Sequence, residues 1–328
     1  MALRLSGRRP LRAAMLLVAV VVIGMAVAGG RSGADSGIPA TRDLSDPLST
    51  AGCAGGAGDG EERHTREFTL RLVRPEGVRT ALVRVPARAA GRRSPLVLAL
   101  HGGGGSGPFM KRYSGLAHEA DRAGFIAVFP DATGAHRFWN LDATTGPDDV
   151  GFAEALIERV ATVACVQPAR IFAVGVSNGG GLAARVGCEL SGRVAGIVVV
   201  AGGFGSLPAC HPVRPVSVLE IHGSNDASVP YDGDPEDDHA GDVRTWLAGW
   251  AGRDRCAGAT PRRTVAPRAV RTDWRSCAAG TALAHIEVLG GGHQWPGATP
   301  PDPGPPSTFS AARQAWGFLA PLRAPRAG

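Results

Sequence analysis

The strongest constraint on the fold is a series of short, continuous apolar runs separated by amphipathic stretches. The runs are Pro95–Leu100, Phe125–Phe129, Ile171–Val174, Val194–Val200, Val216–Ile221 and His285–Leu289. A strand that is apolar at nearly every position needs cover on both faces, which parallel sheets provide. Between the runs, the segment from Asp148 to Ala164 places Ala153, Leu156, Ile157, Val160 and Ala161 on one face at helical spacing. Asn178–Leu190, Asp242–Trp250 and Thr308–Leu319 are further helix candidates. Ahead of them, Phe68–Val73 and Val78–Val85 alternate as a hairpin would, with a turn at Pro75–Gly77. Strand–helix alternation over roughly 220 residues predicts an α/β fold: a mostly parallel central sheet, helices on both faces, in a single domain.

Composition leaves one thing to explain. Of 328 residues, 47 are Gly and 25 are Pro. That share lies just below the level at which a low-complexity chain is expected. The hydrophobic fraction of 44% and charged fraction of 20% are ordinary for a globular protein. The glycines therefore need specific places in a folded chain.

Net charge carries little information about partners. Residues 1–28 hold Arg4, Arg8, Arg9 and Arg12 and no acid, so without them the formal charge falls from +6 to +2. No basic run follows, and a nucleic-acid partner is not expected. The arginines precede an apolar stretch, Ala13–Ala28, that closes on Ala26-Val27-Ala28. This is the pattern of a secretory signal peptide. Uncleaved, residues 13–28 would serve as a membrane tether. Residues 29–60, rich in Gly, Ser, Asp and Ala, read as a flexible linker. Residues 61–322 read as the one folded domain and 323–328 as a tail. The cysteines agree with export. Cys53, Cys165, Cys188, Cys210, Cys256 and Cys277 all follow the signal, and an even count in an oxidising compartment implies disulfides. Connectivity is not derivable; the pairing expected is Cys256–Cys277, Cys165–Cys188 and Cys53–Cys210.

The chemistry is concentrated at strand ends. Ile171-Phe-Ala-Val-Gly175-Val-Ser177-Asn-Gly179 is an apolar strand ending in G-x-S-x-G ahead of a helix. This arrangement is a nucleophile elbow. The serine occupies a strained turn, and residues two before and two after it approach too closely to carry side chains. A serine hydroxyl needs a base, and the base needs an orienting carboxylate. Val216–Ile221 leads into His222-Gly-Ser-Asn-Asp226, and the final apolar run leads into Gly290-Gly-Gly-His293. Ser177, Asp226 and His293 thus occur in the chain order the elbow fold requires. Asp226 also suits a turn, and Asp232, Asp234, Asp237 and Asp238 are rival acids further from the strand end. His101 and His222, directly after strands, read as hydrogen-bonded loop supports. A tetrahedral intermediate needs two N–H donors. Gly103 in the Gly102–Gly105 run and Asn178 after the serine are the candidates. The same loop fits G-x-G-x-x-G (Gly102, Gly104, Gly107), with Asp131 following the next run, as in dinucleotide sites. That reading leaves Ser177, Asp226 and His293 without a role. A metal site built from His101, His222 and His293 lacks any supporting ligand motif.

Several segments carry a resemblance. Leu100-His-Gly, Asp148-Asp-Val-Gly-Phe152, Gly175-Val-Ser-Asn-Gly-Gly180, Ile221-His-Gly-Ser-Asn-Asp226, Val229-Pro-Tyr231 and Gly291-Gly-His-Gln-Trp-Pro-Gly297 resemble a family of secreted esterases. Its members include polyhydroxybutyrate depolymerases, feruloyl esterases and acetyl xylan esterases. The resemblance covers roughly residues 53–320. It implies an α/β-hydrolase fold and a triad of Ser177, Asp226 and His293. It further implies hydrolysis of small or oligomeric carboxylic esters without metal or cofactor. Trp139 and Trp295 are candidates for walls of the acyl pocket. The chain departs from the family in its glycine run after His101-Gly102 and in Gly181-Leu182, where bulkier residues are common. No space remains for a polymer-binding domain, so soluble esters are expected over solid polymer. An acyltransferase or a catalytically silent surface protein on the same fold are the alternatives.

Overall fold

The computed structural model describes residues 48–53, 63–205, 207–234, 241–303 and 307–324. The expected signal peptide, with its possible tether at residues 13–28, lies outside the described residues. So do most of the linker and residues 325–328 of the tail.

Six parallel strands form the centre of a mixed sheet: β3 (Ser94–Leu100), β4 (Ile126–Pro130), β5 (Val166–Val176), β6 (Gly196–Val200), β7 (Ser217–Gly223) and β11 (Leu283–Val288). Their order is β4-β3-β5-β6-β7-β11. At one end the antiparallel hairpin β1 (Arg66–Arg74) and β2 (Gly77–Val85) joins β4. At the other end β10 (Ala269–Arg275) pairs antiparallel with β11 and carries the short strands β8 (Gly258–Ala259) and β9 (Arg263–Ala266).

The strand pleat sorts side chains between two cores. In β3, Leu96, Leu98 and Leu100 face one core while Val97 and Ala99 face the other. In β6, Ile197 and Val199 alternate with Val198 and Val200 in the same way. The first core is closed by α3 (Asp149–Val163), α4 (Asn178–Glu189) and α5 (Val243–Arg253). The second is closed by α1 (Gly107–Ser114), α2 (Leu116–Ala123) and α6 (Ala311–Leu319). Continuous apolar runs thus became doubly covered parallel strands.

Several expectations are corrected. Val194–Val200 enters the sheet only at Gly196, and the last helix starts at Ala311, where Ser310 Oγ accepts the Arg313 N–H. Helices α1 and α2 carry no long periodic pattern. They meet at Gly115, whose φ of 72° ends one helix and starts the next, and their inward face is mainly Met110, Leu116 and Ala120. The disulfides are Cys53–Cys165, Cys188–Cys210 and Cys256–Cys277, so only the last was paired as expected. Cys53 reaches Cys165 because the turn Ala51–Cys53 packs on the end of α3. A Cβ on Gly52 would come within 2.3 Å of the Ala164 carbonyl oxygen. With Leu48 also buried, residues 48–53 belong to the folded domain and not to the linker. Cys188, in the last turn of α4, is left to pair with Cys210 in the segment after β6.

Among the described residues, no helix is long and apolar enough to cross a membrane.

Candidate active site

Strand β5 ends at Val176, and Ser177 turns the chain into α4 with φ 56° and ψ −127°. A side chain rarely adopts such a positive φ, and the surroundings must enforce it. They do so through two glycines. A Cβ on Gly175 would lie 1.9 Å from the Gly179 carbonyl oxygen, and one on Gly179 would lie 2.3 Å from that of His101. The Ser177 N–H donates to the Val200 carbonyl at 2.9 Å, and its own carbonyl accepts from Gly180 and Gly181. Ser177 therefore stands at the carboxyl end of β5, ahead of the positive end of α4.

Asp226 lies in the loop after β7. Its Oδ1 accepts the N–H groups of Ser228 and Val229 at 2.9 and 2.8 Å, and Oδ2 accepts from His293 Nδ1 at 2.8 Å. With Nδ1–H so engaged, Nε2 of His293 is left as the proton-accepting nitrogen. Asp226 is buried, while the His293 side chain keeps 28% of its surface exposed, so the imidazole can be reached from outside. Burial alone would favour the neutral acid. Hydrogen bonds from His222, His293 and Val229 overcome it and hold Asp226 well below the usual carboxylate range. The acid that His293 Nδ1 meets is Asp226, not its rivals Asp232 or Asp234. Asp232 pairs instead with Arg244. Asp237 and Asp238 lie outside the described residues.

The structure brings Asp226 and His293 into contact and sets Ser177 at the same sheet edge. Among the described residues no hydrogen bond joins Ser177 to His293. Such contacts commonly tighten only when substrate is bound.

The glycine run after β3 curls beside the serine. Gly104 N–H donates to Arg137 O and Gly105 N–H to Gly102 O, so neither is available as an oxyanion donor. Among the described residues, no main-chain acceptor engages the N–H of Gly102 or of Gly103, and Asn178 stands close by at the start of α4. The Asn178 side chain is also a brace, with Oδ1 accepting the Trp139 N–H at 2.7 Å and Nδ2 donating to the Trp139 carbonyl at 3.0 Å. It clamps the Phe138–Leu141 segment over the serine. Asp149 supports the same segment, accepting the Asn140 N–H at 2.7 Å while paired with the buried Arg79 at 2.6 Å. Neither support was expected; the Asp148-Asp149 pair at a helix start was the available signal.

Beside Ser177 opens a cleft of about 720 Å³, with Phe138, Trp139, Leu141, Gly203 and Val229 in its walls. Trp139 is thus beside the cleft, but it is nearly fully buried, its ring tilted against that of His101 and its Nε1 donating to the His101 carbonyl. The exposed aromatic is Phe138. The expectation for Trp295 is corrected. It is fully buried in the second core, its Nε1 donating to the Ser114 carbonyl at 2.9 Å and its N–H to Asp302. It anchors the His293 loop and does not wall the cleft.

His101 supports its loop. Nδ1–H donates to Gly102 O at 2.7 Å, and Nε2 accepts the Ala132 N–H at 3.1 Å. His222 and His293 both approach Asp226 Oδ2, while His101 is engaged by Gly102 and Ala132, so the three rings do not converge on a common point. The carboxylate of Asp131 accepts from Gly107 N–H and Thr80 Oγ1, which leaves the dinucleotide reading without its ribose acceptor.

A strained serine elbow at the carboxyl edge of a mostly parallel sheet, with an acid–imidazole pair two and three strands along, defines an α/β-hydrolase. Comparison agrees. The acetyl xylan esterase from Aspergillus awamori superposes with a TM-score of 0.57 at 14% identity, covering 77% of this chain and 99% of that one. Residues 79–229 match the family described as esterase PHB depolymerase. A putative esterase, NocK, of Nocardia uniformis subsp. tsuyamanensis is 36% identical over 243 residues, covering 66% of this chain and 69% of that protein. Feruloyl esterase B of Piromyces equi is 28% identical over 234 residues, 66% of this chain and 42% of that longer protein. The chain belongs to the polyhydroxybutyrate depolymerase family of esterases and is by class a carboxylic ester hydrolase.

Proposed function

We propose that this chain is a secreted serine esterase in which Ser177, His293 and Asp226 form the catalytic triad. The observation that carries the reading is Ser177 held at positive φ between two obligatory glycines, at the sheet edge where Asp226 already orients His293.

His293 Nε2 removes the Ser177 hydroxyl proton as Oγ attacks the ester carbonyl. The tetrahedral oxyanion is held by the N–H groups of Gly103 and Asn178. The intermediate collapses, the C–O bond to the alcohol breaks, and the proton on His293 passes to the leaving alkoxide. A water molecule then gives a proton to His293 and adds to the acyl-serine carbonyl. Release of the acid returns the proton to Ser177. Asp226 stays ionised throughout and stabilises the imidazolium.

Feruloyl and acetyl esters and hydroxyalkanoate oligomers are the substrates proposed, in keeping with the names of the relatives and with the mainly apolar cleft beside Ser177. Three disulfides and the arginine-led apolar amino terminus support export.

The test is Ser177→Ala assayed on p-nitrophenyl acetate and butyrate, with fluorophosphonate labelling of the parent. Loss of hydrolysis by at least about a thousandfold is expected. Undiminished turnover in the variant, or a folded parent that takes up no label, sinks the assignment.

A further inference from the structure

Asp226 has a second imidazole beside it. His222 Nε2 lies 3.4 Å from Asp226 Oδ2, the oxygen that receives His293, and 2.9 Å from the Val229 carbonyl. A carbonyl only accepts, so Nε2 of His222 carries a proton. On the other side, His222 Nδ1 lies 2.9 Å from Glu220 Oε1. Glu220 is two residues earlier on β7, which puts both side chains on one face of the strand. Directly across the parallel register, His285 on β11 brings Nδ1 to 2.6 Å from Glu220 Oε2, an ion-pair distance without hydrogen-bond alignment. His285 Nε2 meets the Tyr231 hydroxyl at 2.8 Å.

Glu220 and His222 are charged or polar groups inside an otherwise apolar strand, and neither is exposed. Burial of a lone carboxylate is strongly unfavourable unless it is paired. Burial disfavours the ionised form of Glu220, but His285 and His222 reverse that and lower its pKa. With Glu220 ionised, Nδ1 of His222 donates to it and His222 is an imidazolium. Burial opposes that charge as well; hydrogen bonds with Asp226 and Glu220 prevail and push it up to about 10. The groups facing His222 are Glu220 on its own strand, Asp226 in the following loop, and the edge of the Tyr231 ring. Beyond them lie His285 on β11, His293 behind Asp226, and Arg244 of α5 over Tyr231.

We infer that Glu220 and His222 form a buried positioning pair for the triad, which keeps Asp226 ionised and its Oδ2 directed at His293. The inference rests on the Ser177–Asp226–His293 reading. Neither residue touches substrate. His222 acts as a fixed cation behind the catalytic acid, and Glu220 keeps that cation charged in a place where water cannot.

The experiment compares Glu220→Gln with the parent through the pH profile of kcat/KM on p-nitrophenyl butyrate, with kcat and KM resolved separately. Glutamine keeps the shape of Glu220 and can donate to Nδ1, so His222 keeps its Nε2 proton and loses its charge. Asp226 then loses a buried cation within about 4 Å, worth one to three pKa units as a rule. The same cation repels a proton arriving on the Asp226–His293 pair. Without it the acid limb should move to higher pH by about one unit, with kcat down by up to about tenfold below the limb and KM within about twofold. If the single variant does not fold, Glu220→Gln/His222→Gln removes both charges together, leaves no lone buried ion, and should show the same displaced limb. A profile that superimposes on the parent, with only the melting temperature lowered, overturns the inference. Asp226→Asn separates the two readings. If it is inactive while Glu220→Gln has an unmoved limb, the positioning pair fails and the triad stands. If Asp226→Asn is fully active, the triad reading itself fails.

Discussion

Gly223 lies in contact with the main chain of Gly291: a Cβ at Gly223 would come within 2.2 Å of the Gly291 carbonyl oxygen and 2.4 Å of that of Gly292. The two loops are also tied by Asn225 N–H to Gly291 O at 2.9 Å and by Gly290 N–H to Ser224 Oγ at 2.9 Å. This contact brings the His293 loop onto the Asp226 loop. Gly223→Ala should push Gly291 and Gly292 away and lengthen the Asp226–His293 hydrogen bond. The expected cost is about 1–3 kcal/mol of stability from overpacking and a loss of about tenfold or more in kcat. Steady-state kinetics beside a thermal melt checks it. A stable variant with unaltered kcat would show that the close approach is not needed.

A second close contact joins the Gly102–Gly105 loop to the cleft wall. A Cβ on Gly103 would meet the Phe138 ring at 2.5 Å. Phe138 is 56% exposed and can be removed at little cost to folding. Gly103→Ala should lower kcat by about tenfold or more by displacing the loop. Adding Phe138→Ala should recover most of that loss, because the clash is with that ring. Phe138→Ala alone should raise KM for aryl and longer acyl esters more than for acetate. No recovery in the double variant would place the fault of Gly103→Ala elsewhere.

The elbow was legible because its demands are local. Gly175 and Gly179 must lack side chains whatever the rest of the chain does, and the apolar run before them marks a covered strand. The strand-end positions of Asp226 and His293 were legible for the same reason. What remained hidden depends on contacts between distant segments. Trp295 lies two residues after His293, yet its side chain turns into the second core because Ser114 and Asp302 supply partners there. Cysteine spacing carries no record that residues 48–53 fold back on α3. Helices α1 and α2 are short, and Gly115 interrupts their periodicity. The Glu220–His222 pair did leave a trace: two polar residues, two apart, one inside the run Val216–Ile221 and one directly after it. His222 was legible only as a loop support, since its charge comes from Glu220, and a strand period does not reveal ionisation.

The disulfides should differ in weight. Cys53–Cys165 closes a sequence separation of 112 residues and Cys256–Cys277 one of 21. On chain entropy the first contributes about 4–5 kcal/mol and the second about 3 kcal/mol. The Cys53→Ser/Cys165→Ser variant should melt lower than Cys256→Ser/Cys277→Ser, and its kcat should be unchanged below the transition because the bridge lies away from the cleft. Equal or reversed melting temperatures would refute the ranking.

Asp254 gives a pH dependence of stability with a defined sign. It is fully buried at the end of α5, and its Oδ1 accepts the Val216 N–H at 3.3 Å. Burial raises its pKa to about 6 from an ordinary 3.8, against the pull of the Val216 amide. Between those values the folded chain holds a proton that the unfolded chain has released. Stability therefore falls as pH rises through this window, and the full cost is present above about pH 6. A shift of about two units corresponds to about 3 kcal/mol. Asp254→Asn cannot ionise and should lack this slope. Denaturant melts of parent and variant from about pH 4 to pH 7 should therefore diverge, the variant gaining on the parent by up to about 3 kcal/mol. Stability curves that stay parallel over the window would show that Asp254 is ionised in the folded chain at little cost.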